Sequence, residues 1–284
     1  NNIFNLKKNI NKNNIVYSLR IFFGSGMPLR IGLLKYLTLK FKTFRPHYET
    51  ILLESVLEAK KLGYKKVSVL ELGVAGGNGI IALEKYKKRI EKYTNVEINI
   101  YGFDTGTGLP ETKNNFDLPF IWSSGNFKTN KDELNKKIKS KIFYGDIKDT
   151  FEDFIKTNPD LIISMFFDLD YYTSTKNFLS QLPKFKDFLC PRVYCYFDDI
   201  FDTNHHINEH NGELLAIREF NSQNSEIKIG KSFEHSSDFK FPLGRENLFV
   251  LHNFNHKNYS KLIFPQKSDL SINDRNVGGD IFNF

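Results

Sequence analysis

Cysteine is nearly absent: Cys190 and Cys195 are the only two among 284 residues. Two thiols build neither a disulfide framework nor a cysteine zinc site, so a reducing, cytoplasmic setting is expected. Long apolar runs are missing too. The most apolar stretch, "YSLRIFFGSGMPLRIGLLKYLTLKF", is broken by Arg20, Arg30, Lys35 and a Gly/Pro cluster, so it does not read as a membrane span. No small-residue cleavage site follows it, so a secretory signal is not expected. An amphipathic arm of this kind either packs on its domain or touches a membrane surface, and packing is the expectation.

Phosphate signals are absent as well. The chain has no G-x-x-x-x-G-K-S/T loop and no G-x-G-x-x-G turn after a strand, which argues against nucleoside triphosphates and dinucleotides. Net charge is +7 and the isoelectric point is about 9.1, yet the excess is spread rather than blocked. Abundant Lys and Asn are also what an AT-rich coding sequence leaves. With no basic-aromatic module in view, a nucleic-acid partner is not expected.

What is present is alternation. Residues 1–45 form an arm, Asn/Lys-rich at first and then helical in pattern around "GSGMP". Residues 46–264 alternate strand and helix, and 265–284 form a polar tail. Helices are expected over 47–62, 79–93, 131–139, 150–157, 173–186 and 212–221. Strands are expected at "KVSVLEL", "EINIYGF", "KIFYGD", "LIISMFFDLD" and "RVYCYFDD", with "EIKIG" and "NLFVLHNF" as a late antiparallel pair. The pattern is α/β: a parallel sheet with helices on both faces. Ligands of such sheets sit outside the carboxyl ends of the strands. Those ends carry Glu71, Gly73–Gly79, Asp104, Asp146, Asp168, Asp170, Asp198 and Asp199, an acid at nearly every one.

The first strand runs into "ELGVAGGNG", where Gly73, Gly76, Gly77 and Gly79 crowd a strand-to-helix turn. Glu71 in front of it would repel a pyrophosphate and attract a cation or hydroxyls. A nucleoside with a sulfonium and an amino-acid end, S-adenosyl-L-methionine, suits that turn. Asp104 then stands where ribose hydroxyls would be. Asp146 lies either at the adenine edge or as the cap of the helix that follows. The second constellation is "FFDLDYYTST" with "YFDDI". Asp168 and Asp170 are two apart and point the same way in extended chain, and Asp198 and Asp199 end the neighbouring strand. Carboxylates so close repel unless a hard divalent cation such as Mg2+ joins them; the alternative is a hydrogen-bonded acid cluster that caps helices without a metal. Asp168, Asp198 and Asp199 are the expected metal ligands and Asp170 the expected general base. His205, His206 and His210 follow at once, either as acceptor-pocket residues and an alternative base or as a polar loop. Trp122, Tyr171 and Tyr172 either stack on a sugar face or pack.

Together, "ELGVAGGNG", "GFDTGTGLP", "GDI", "FDLDYYTST", "FDDI" and "GELLAIREF" resemble the class I S-adenosylmethionine-dependent methyltransferases, and among them the macrocin O-methyltransferase family. The resemblance runs from about Arg45 to Leu251, in order. It implies a doubly wound, mostly parallel seven-stranded sheet of the Rossmann-like methyltransferase kind. It also implies methylation of a hydroxyl on a saccharide or glycosylated metabolite. Glu71, Gly73, Gly77, Gly79, Asp104 and Asp146 would serve the cofactor. Two departures stand out: Phe166 holds a position where the family often has histidine, and "GTG" replaces a bulkier turn. Nucleic-acid methylation and a non-methylating role are the alternatives, the first opposed by the lack of an N-P-P-Y-type segment. A homo-oligomer is compatible with the sequence.

Overall fold

A computed structural model describes residues 45–201, 206–232 and 247–263. The expected arm and tail lie outside the described residues. His47–Ile263 form one unit, and it carries the fold.

The first helix, α1, spans Pro46–Leu62. Proline suits its first position, where no intrahelical N–H bond is due. It stops at Gly63, φ 89°, where the Tyr64 N–H reaches back to the Ala59 carbonyl. The elements that follow are β1 Lys66–Leu72, α2 Asn78–Thr94, β2 Glu97–Asp104, α3 Lys131–Lys137 and β3 Lys141–Tyr144. Then come α4 Ile147–Lys156, β4 Ile162–Phe167, α5 Tyr172–Leu179, β5 Leu189–Phe197, α6 Gly212–Gln223, β6 Ile227–Lys231 and β7 Leu248–Asn253. The sheet has seven strands in the order β3-β2-β1-β4-β5-β7-β6. The first five are parallel, and β7 runs antiparallel to both β5 and β6. This is the expected α/β fold with its late antiparallel pair.

Several boundaries moved, two of them with consequences for the chain's path. The helix expected to reach residue 186 ends at Leu179, because Pro183 supplies no N–H and disfavours helix at the residue before it. The fourth strand stops at Phe167, not at Asp170.

Both faces are covered. On one, Phe103, Phe143, Phe151, Phe154 and Phe178 form ring contacts that join β2 and β3 to α4 and α5. On the other, Tyr48 of α1 stacks on Phe166 at 4.4 Å between centroids. Phe151 is fully buried. Phe151→Ala is expected to cost about 3–5 kcal/mol of stability, read as a lower denaturant midpoint.

The register aligns the strand ends. Leu72 pairs with Phe103 and with Phe167, and Phe167 pairs with Phe197. Gly73, Asp104, Asp168 and Asp198 therefore follow at one level across four strands. The N–H groups of Gly73, Asp168 and Asp198 extend the ladder, at 2.8–2.9 Å. The strand order reverses beside β1, so the crevice between β1 and β4 is the switch point.

Candidate active site

The glycine turn between β1 and α2 closes on Asp104. The backbone N–H groups of Val74 and Ala75 donate to Asp104 Oδ2 at 3.0 and 2.8 Å. Gly106 N–H and the Thr129 hydroxyl donate to Oδ1 at 2.5 and 3.0 Å. Ala75 takes a left-handed φ of 44°, which this pair of bonds holds in place. Three of the four glycines make room for the chain itself. A side chain at Gly73 would meet the Asp168 carbonyl, at Gly77 the Leu134 side chain, and at Gly79 the Glu71 carboxylate and Tyr48 ring. Gly76 alone of the four faces open space. Glu71 is buried under the turn. Asp146 is exposed and caps α4, accepting the Lys148 N–H at 2.9 Å. Of its two sequence readings, the capping one is what the structure displays.

The second constellation is a nest of acids, Asp170 buried and Asp168 and Asp199 half-buried. Asp168, Asp170 and Asp199 bring carboxylate oxygens within 4.8 Å of one another. Asp198 is not one of the three: its Oδ1 accepts the Tyr196 hydroxyl at 2.6 Å, and its charge, after burial, still raises the Asp170 and Asp199 carboxyls. Asp170 thus stands with Asp168 and Asp199 in the trio, and Asp198 lies beside it. The cause is the early end of β4. Asp170 lies beyond the strand in a left-handed turn, φ 59°, its N–H donating to Asp199 Oδ2 at 3.2 Å.

Glu213, in the first turn of α6, has no exposed surface and was not among the expected site residues. Its Oε2 accepts the Asp199 N–H at 3.2 Å. The signal was there: an acid at the start of an otherwise apolar helix face, directly after the paired acids.

Burial, then the charges of Asp168 and Asp198, push the Asp170 carboxyl up to about 8. Burial, then Asp170 and Glu213, push Asp199 well up, and burial, then Asp168, does the same to Glu213. An unfolded aspartate titrates near 3.8, so the folded protein binds protons more tightly than the unfolded chain. Without divalent cation, the stability due to Asp170 is therefore full below pH about 4 and lost as pH rises through about 8. The melting temperature is expected to fall between pH about 5 and about 8.5, and Mg2+ to restore it chiefly at the upper end. Melting curves in EDTA that are flat over this range would contradict this.

The long segment between β2 and α3 walls the site. Asp117, fully buried, accepts the Thr173 N–H at 2.7 Å and the Thr173 hydroxyl at 2.9 Å, tying the wall to the start of α5. Leu118 packs at Gly212, beside Glu213. Phe116, Phe120 and Phe127 of this wall, and Phe201 after β5, are 48–66% exposed. The Phe120 ring meets His206 edge-on at 5.6 Å. His206 is exposed, with its carbonyl held by Asn208 and Asn211. His205 lies outside the described residues. His210 is exposed and contacts Arg218. Tyr171 and Tyr172 are buried, so packing is their role here, while Trp122 is half-buried against Phe127. Among the described residues no helix is long and apolar enough to cross a membrane.

No family model and no curated protein sequence matches the chain. Among solved structures it is similar to CalS11, a calicheamicin methyltransferase, at 18% identity. That match covers 84% of this chain and 91% of the other, with a TM-score of 0.49. It is similar to the plantazolicin methyltransferase BamL at 11% identity, covering 84% and 94%, with a TM-score of 0.41. A third, the O-methyltransferase NovP, shows 17% identity over 54% and 65%, with a TM-score of 0.39.

Proposed function

We propose that this protein is an S-adenosyl-L-methionine-dependent, divalent-cation-dependent O-methyltransferase acting on a hydroxyl of a saccharide or glycosylated metabolite. The observation that carries the reading is the position of the acid trio Asp168, Asp170 and Asp199 beside the glycine turn at the switch point. Gly73 touches the Asp168 carbonyl, so the turn and the trio share one crevice.

The residues present fit both absent groups. The turn amides of Val74 and Ala75 are engaged by Asp104, so a phosphate would meet that carboxylate where those two donors point. Glu71 places a buried carboxyl behind the turn, a group suited to a cationic or hydroxyl-bearing ligand and not to a phosphate. Open space at Gly76 gives that ligand an approach to the backbone. Three carboxylates, with a fourth behind them in Glu213, are an all-oxygen donor set suited to Mg2+ or Mn2+ and not to zinc.

The cofactor would supply an electrophilic methyl group, and the cation would acidify the acceptor hydroxyl. The chain's residues do the rest. Asp168 and Asp199 hold the cation. Asp170 takes the hydroxyl proton: without a cation its carboxyl is held up by burial and by the charges of Asp168 and Asp198, and with one bound it is free to act as a base. Glu213 fixes Asp199 through the Asp199 N–H. The exposed phenylalanines would offer the acceptor an apolar surface that holds it for in-line attack, with reacting atoms about 3–3.5 Å apart.

Calorimetry with S-adenosylhomocysteine and with NAD tests the cofactor. Binding of the first and not the second is expected, and the reverse would sink the reading. Gly76→Val sharpens the test. A Cβ at this position has no neighbour within 4 Å, so the fold should tolerate the change. Affinity for S-adenosylhomocysteine should fall at least about tenfold, the effect of roughly 1.4 kcal/mol of steric loss. Unchanged affinity would place the ligand elsewhere.

A further inference from the structure

We infer that Asp104 is a positioning residue that holds the glycine turn in its binding shape, and that it does not receive the ribose hydroxyls. A carboxylate offers about four lone-pair directions. All four are used within the chain: Val74 N–H and Ala75 N–H on Oδ2, Gly106 N–H and the Thr129 hydroxyl on Oδ1. A ribose diol is a donor pair, and it would have to displace two of these bonds to engage Asp104. The displaced groups would be two charge-assisted amide contacts, or an amide and a buried hydroxyl. A ribose hydroxyl would make a charge-assisted bond of the same kind, so the exchange gains nothing at Asp104 and leaves the displaced donors without their partner. Thr129 is only 9% exposed, so its hydroxyl gains little water in exchange.

The geometry also explains what the bonds are for. Ala75 sits at φ 44° without being glycine, a conformation that needs support. Asp104 supports it from the next strand and draws the segment after β2 onto the same anchor through Gly106 and Thr129. The turn before α2 and the wall before α3 are thereby fixed to one carboxylate. The same contact fills the anion position of the turn with the protein's own negative charge. Selection against phosphate-bearing ligands is then built into the fold, and ribose recognition falls to groups other than Asp104.

The ligand arm of the test rests on the proposed cofactor, and the protein arm does not. In the protein alone, amide exchange at Val74, Ala75 and Gly106 should be slow. It should remain slow in protein saturated with S-adenosylhomocysteine. Fast exchange in the free protein, or protection lost on binding, would overturn the inference. Asp104→Asn then separates the roles. It should weaken S-adenosylhomocysteine and its 3′-deoxyribose analogue by the same factor, about 10- to 100-fold, leaving their affinity ratio at the wild-type value. A ratio collapsing toward one in Asp104→Asn would show that Asp104 reads the ribose. If the wild type binds no S-adenosylhomocysteine but its turn amides are protected, the cofactor reading falls and the positioning role stands. If Asp104→Asn does not fold, the exchange data on wild type with and without ligand decide the matter.

Discussion

In excess EDTA, methyl transfer is expected to fall to background, and to return when Mg2+ or Mn2+ exceeds the chelator. The size of the effect follows from the trio. Asp168, Asp170 and Asp199 crowd their oxygens within 4.8 Å, in a site where Glu213 has no exposure. Without a cation the crowding is relieved only by protons, as the raised Asp170 and Asp199 carboxyls indicate. A protonated trio cannot orient or acidify an acceptor. Asp168→Asn or Asp199→Asn should lower cation affinity at least about tenfold, measured by calorimetry, with S-adenosylhomocysteine binding nearly unchanged. Asp198→Asn should be milder, within a few-fold, because that carboxylate is engaged by the Tyr196 hydroxyl. Full turnover in EDTA would show the acids to be structural. A severe Asp198→Asn with a mild Asp199→Asn would restore the ligand set that the sequence alone favoured.

The strand ends were legible because a parallel sheet puts the carboxyl ends of its strands on one edge, and a hydrophobic run followed by an acid marks each end. Glu71, Asp104, Asp168 and Asp199 could be found that way. Asp170 and Asp198 could not be told apart, since the two-residue spacing assumes that the strand continues. It stops at Phe167, and a left-handed residue re-aims Asp170. Such a conformation is costly for a non-glycine residue and leaves no mark in hydrophobic pattern.

Glu213 and Asp117 were missed for a different reason. Their partners, Asp199 and Thr173, are 14 and 56 residues away, and nothing local announces the contact. The glycines were read correctly as a tight turn, yet three of the four serve the packing of Asp168, Leu134, Glu71 and Tyr48 against that turn. A glycine that admits a ligand and one that admits a neighbouring side chain look alike in sequence. Only Gly76 stands open.

Asp170→Asn is expected to keep the fold, bind the cofactor, and lose about 10²- to 10⁴-fold in kcat, the usual cost of removing a general base. Asparagine is the same size and retains the N–H that donates to Asp199 Oδ2. It cannot take a proton. Asp170 is 6% exposed, so water does not readily substitute as the acceptor. The loss should appear in kcat more than in KM, because the proton leaves in the transition state. The activity of the wild type should rise with pH as its base deprotonates, and that rise should be absent from the residual activity of Asp170→Asn. Cation affinity is the discriminating control. If Asp170→Asn binds Mg2+ as the wild type does, the residue is the base and Asp168 and Asp199 suffice as ligands. A loss of cation affinity as large as that of Asp168→Asn would instead make Asp170 a ligand. A kcat within a few-fold of wild type would remove Asp170 from the chemistry altogether. His206 would then be the next residue to substitute, since its ring stands at the rim against Phe120.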